Sequence, residues 1–89
     1  MTPEETNALQ QEIRSNKARL RSAIASKSIA RQVGASNAIT FLEGVAARGN
    51  LHGEIDRLKK ESETAWMNSS LSWQAEISSN LALLEKITR

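Results

Sequence analysis

A single histidine, His52, stands in a chain without cysteine, which removes thiol nucleophiles, disulfides and zinc–thiolate sites at the outset. No carboxylate cluster at metal-ligand spacing accompanies it, so it reads as a surface residue rather than a ligand. The carboxylate pairs Glu54 with Asp56 and Glu61 with Glu63 are each two residues apart. On a helix that spacing turns the two members to different faces, where they cannot serve one substrate as general acid and base. The glycines at 34, 44, 49 and 53 do not form a phosphate-cradling loop after a strand. These residues predict no enzyme, no cofactor and no metal.

Charge distribution and apolar surface are what remain. From Ile13 to Leu42 there is no Asp or Glu, yet Arg14, Lys17, Arg19, Arg21, Lys27 and Arg31 fall inside the interval, half of the chain's 12 basic residues. Arg14, Lys17 and Arg21 share one turn-spaced strip, which with Arg19 could neutralise nucleic-acid phosphates or meet an acidic protein surface. The plainer reading is that these side chains solvate their helix and pair with acids such as Glu63 or Glu76. By contrast, Ala65 to Leu84 carries Glu76 as its only charge and holds both tryptophans. Trp66 and Trp73 are seven apart and face the same way, which predicts that they fill a helical core. Met67 and Leu71, four apart and opposite Ile55 on the helical wheel, give the same segment a second apolar face to cover. Trp66, Met67, Leu71 and Trp73 are therefore the candidate partner-binding set.

The elements that position these residues are read as helices. Thr2, Pro3 and Glu5 make a capping box with proline at the first helical position. Leu9, Ile13, Leu20 and Ile24 form one apolar stripe with Asn16 near its centre, either buried and fixing a register or lying at a wet edge of the seam. The pattern loses phase near Lys27, where Ile29 and Val33 rotate away from the stripe, which predicts a kink or a stop there in a first helix over 3–33. Gly34 offers a left-handed cap, and Ser36 or Asn37 can start a short helix over 36–48, closed by Arg48 and Gly49. Asn50 then caps a long helix over 51–88, whose stripe from Leu51 to Ile87 keeps phase throughout. On its exposed side Asp56 with Lys60, Arg57 with Glu61 and Lys59 with Glu63 are spaced to pair. A break at Asn68-Ser69-Ser70 would instead give four helices, since all three residues prefer caps. The favoured assembly is a single all-α domain over 1–89, an antiparallel helical hairpin with a short helix at the turn, completed by dimerisation or a partner.

Residues 28–42 share part of the spacing of a helix-turn-helix, with Ala30, Gly34 and Ser36 in place. The position that should carry an apolar packing residue is Thr40, however, and Ile39 and Phe41 straddle it. The register is off by one, and no Lys or Arg occurs from 32 to 47 to anchor phosphates.

Eighty-nine residues suffice for one small domain with a modest core. The hydrophobic 39% includes twelve alanines, leaving nineteen Leu, Ile, Val and Phe, but a net charge of only +2 does not favour disorder. The N-terminal residues lack a signal-peptide pattern and no run is apolar enough for a membrane span, so a cytoplasmic protein without a membrane partner is expected. Together these features predict a small non-enzymatic helical interaction module docking on a protein partner. Adaptors, inhibitors and chaperone-like accessory proteins, including those of mobile elements, can be built at this size. The alternative is a nucleic-acid binder using the basic face of the first helix, and self-association into a homo-oligomer fits either.

Overall fold

The computed structural model describes residues 1–67 and 71–88. Among them there are four α-helices and no strand: α1 (Pro3–Ala25), α2 (Ile29–Arg48), α3 (Leu51–Met67) and α4 (Leu71–Thr88). The chain divides into two compact units, Met1–Gly49 and Asn50–Arg89. In the first, α1 packs on α2; in the second, α3 packs on α4. The all-α class expected from the sequence is observed, but one long hairpin is not. Each unit is a helical hairpin of its own.

In the first unit the capping box forms as the sequence implies. Glu5 N–H donates to Thr2 Oγ1 at 3.1 Å, and Thr2 N–H donates to Glu5 Oε1 at 3.0 Å. α1 does not run on to residue 33 with a kink; it stops at Ala25. Its last carbonyls are taken up by a Schellman motif, with Ser28 N–H donating to Ala23 O at 3.0 Å and Lys27 N–H to Ile24 O at 3.1 Å. Lys27 occupies the left-handed position of that motif, at φ 58°. Ser28 serves twice, because its Oγ also accepts from Arg31 N–H as the N-cap of α2. The second helix is therefore not a short one over 36–48. It begins at Ile29, runs through Gly34, Ser36 and Asn37 without interruption, and ends at Gly49, whose φ of 69° makes it the left-handed cap. An unbroken helix here also removes the turn that a helix-turn-helix requires.

The buried row of α1 is Leu9, Ile13, Asn16 and Ala23, with Leu20 half-buried. Its four-three-four-three spacing is that of a coiled-coil seam. Ile24 was expected on this face but is 56% exposed, because Ala23 takes the inward position at the end of the helix. Asn16 is buried rather than at a wet edge, and its Nδ2 donates to Glu12 O at 2.9 Å within its own helix. From α2, Ala35, Leu42 and Val45 are buried.

In the second unit Asn50 caps α3 as expected, its Oδ1 accepting from Gly53 N–H at 3.1 Å. The helix over 51–88 is not one rod. The Gln74 amide donates to Ala65 O at 3.1 Å, whereas a straight helix would set residues nine apart ~13.5 Å from each other. The chain reverses between α3 and α4, and Asn68-Ser69-Ser70, where the sequence allowed a break, lie outside the described residues. Leu51, Glu54, Ile55, Leu58 and Ala65 of α3 and Ile77, Leu84 and Ile87 of α4 are buried.

Candidate functional site

The four residues expected to bind a partner separate into two kinds. Trp66, Met67 and Leu71 are 71%, 85% and 79% exposed, while Trp73 is half-buried. The expectation that both tryptophans fill the core is corrected for Trp66. It rested on a single helical phase carried through 37 residues, and the reversal before α4 ends that phase. Ala65, fully buried, takes the last inward position of α3, so Trp66 is turned off the seam and Met67 faces directly away from it. Met67 ends α3 and Leu71 begins α4. Three large apolar side chains on the helix ends that flank this connection are thus exposed.

The first hairpin has a smaller counterpart. Ile24, Ile29 and Val33 flank its Ser26–Ser28 connection and are exposed. Ile29 and Val33 are one turn apart on the outer face of α2, as their loss of phase in the sequence implied.

The basic residues Arg14, Lys17, Arg19 and Arg21 are all exposed on α1. Lys17 Nζ lies 3.4 Å from Glu43 Oε1, across the hairpin on α2. Arg14, Arg19 and Arg21 enter no ion pair with any described residue. Advancing 100° per residue, Arg14 and Arg21 fall within ~60° of Lys17, whereas Arg19 lies on the other side of the helix. The structure therefore groups three of the four, and Arg19 stands apart.

Charges in the second hairpin are engaged with one another. Arg57 donates from Nε (3.2 Å) and Nη2 (2.7 Å) to Glu54 Oε2, and from Nη1 to Glu61. Of the three expected pairs at four-residue spacing this helix forms Arg57 with Glu61, and sequence reasoning missed the stronger partner. Glu54 is 7% exposed, on the buried side of α3. Its hydrogen bonds to Arg57 raise the guanidinium above its ordinary pKa; burial opposes that rise, and the charges of Glu54 and Glu61 add to it. The signal for Glu54 was its place in the Leu51–Ile55–Leu58 stripe, which a carboxylate occupies only with a cation at hand.

Among the described residues no group of three His, Cys, Asp or Glu side chains could hold a metal ion, and no helix is long and apolar enough to cross a membrane. No known protein family, curated protein or solved structure matches this chain.

Proposed function

We propose that the protein is a non-enzymatic helical interaction module that docks on a partner protein through the turn end of its second hairpin, at Trp66, Met67 and Leu71. One observation carries the reading: Trp66 and Met67 at the end of α3 and Leu71 at the start of α4 are exposed, while every other large apolar residue described in this hairpin is buried or half-buried. Exposed single apolar residues are ordinary, but clustered ones rich in Trp and Met are the composition of interface cores. The low charge of the flanking sequence lowers the desolvation cost of covering them. An adaptor, an inhibitor or a chaperone-like accessory protein would each work this way, and homo-oligomerisation through the same end is the self-partnered form of the reading.

The test is Met67→Asp combined with Leu71→Asp, both on exposed positions, with circular dichroism confirming unchanged helicity. Burying each of these side chains contributes about 1.5–3 kcal/mol. Loss of both should weaken capture of the partner, or self-association seen by sedimentation, more than tenfold. Unchanged capture and unchanged sedimentation by a folded double variant would refute the docking end.

A further inference from the structure

The Lys17–Glu43 ion pair fixes which sides of α1 and α2 form one lateral face of the first hairpin. On α1 that side carries Arg14, Lys17 and Arg21. On α2, Ser36, Thr40 and Glu43 recur at spacings of four and three, one strip on the helix surface, and all three are exposed. The helices are antiparallel, so a step of about 6 Å from Lys17 toward the turn reaches Arg21, and a step of about 4.5 Å from Glu43 in the same direction reaches Thr40. The Arg21 guanidinium is thus level with the Thr40 hydroxyl, while Arg14 lies about 4.5 Å from Lys17 in the other direction along α1. The single acid of the face is Glu43, and that carboxylate is already opposite Lys17.

We propose that this face binds the phosphate backbone of duplex DNA, and that Glu43 occupies Lys17 until a phosphate displaces it. Arginines and hydroxyls are the groups that hold backbone phosphates. Three cations with no uncompensated acid among them give the charge complementarity, and the first unit as a whole carries seven Lys and Arg against four Glu. Duplex rather than single-stranded nucleic acid fits because the face has no aromatic side chain on which bases could stack. Recognition is independent of sequence, since nothing here resembles an element that enters a groove. The Lys17–Glu43 pair has both side chains half in solvent, so a phosphate can replace the carboxylate at little cost.

The experiment is fluorescence anisotropy of a labelled mixed-sequence 20-bp duplex with the full chain at several salt concentrations. Three engaged phosphates predict a log–log salt slope of about −2.7. Arg14→Glu with Arg21→Glu should reduce affinity at least tenfold. Arg19→Glu, an equal change of charge per site on the other side of α1, should reduce it less than threefold. Glu43→Gln should bind two- to fivefold more tightly, because Lys17 is then free. Absence of salt-dependent DNA binding, or an Arg19→Glu loss per site equal to that at Arg14 and Arg21, overturns the proposed face. Unchanged affinity in Glu43→Gln overturns the role of that carboxylate. Preference for anionic phosphatidylglycerol vesicles, assisted by the neighbouring Ile24 and Ile29, or for single-stranded DNA, overturns the choice of duplex.

Discussion

The two hairpins share one architecture and use their charges in opposite ways. In Met1–Gly49 the cations of α1 stand in solvent, and the one that is paired, Lys17, meets an exposed acid across the hairpin. In Asn50–Arg89 the central cation, Arg57, is bound to a buried carboxylate and a half-buried one on its own helix. The apolar residues differ in the opposite sense. The second hairpin leaves Trp66, Met67 and Leu71 uncovered, while the first exposes smaller aliphatics. Charge that is locked into a fold stabilises it and is unavailable to a ligand; charge left free costs repulsion and is available. The proposed phosphate-binding face and the proposed apolar docking end accordingly fall in different units.

The largest expected effects come where the hairpins are alike. Leu42 and Leu84 are both fully buried, and Leu42→Ala or Leu84→Ala should each cost about 2–5 kcal/mol in urea unfolding. A cost below about 1 kcal/mol at either would mean that its hairpin lacks a fixed core, breaking the parallel. The next effect belongs to the second hairpin alone. Arg57→Ala removes two charge-assisted hydrogen bonds from the buried Glu54 carboxylate and should cost about 1.5–3 kcal/mol, whereas Arg14→Ala should change stability by less than about 0.5 kcal/mol. Equal effects at the two arginines would erase the distinction between locked and free charge. The raised pKa of Arg57 sets the pH behaviour. A cation whose folded pKa is raised contributes fully below its unfolded value and loses that contribution only as pH climbs past it. Arg57's contribution should accordingly stay constant from neutral pH through the mildly alkaline range, and a loss there in the difference between wild type and Arg57→Ala would show that another group controls it.

Helical class, the first cap, the Gly49 stop and the Asn50 cap were all legible in the sequence, because each depends on a few adjacent residues with one strong preference. The two chain reversals were not. Between α3 and α4 the apolar stripe happens to keep phase, so periodicity could not distinguish a rod from a hairpin, and the cap-forming trio at 68–70 was the better signal. That choice also decided the reading of Trp66, which is inward only on a rod. The free and paired states of the basic residues were equally hidden, since Lys17 and Glu43 are 26 positions apart and meet only once α1 and α2 fold together.

The turn between α1 and α2 misled for a different reason. Gly34 is the residue that most readily adopts a left-handed conformation, yet it lies inside α2, and Lys27 takes the left-handed position instead. A side chain there is disfavoured by about 1–2 kcal/mol, and the chain tolerates it because the two Schellman hydrogen bonds and the Ser28 cap fix the backbone around it. Glycine at 27 would relieve that strain but lose more freedom on folding, by about 0.5–1 kcal/mol. Lys27→Gly should therefore raise the stability of the first hairpin by about 0.5 kcal/mol, measured as a higher urea midpoint at unchanged slope. It also removes one cation near the turn while leaving Arg14, Lys17 and Arg21 in place. Stability that rises while duplex affinity stays within about twofold would localise the attraction to the lateral face; a larger loss of affinity would move it to the turn.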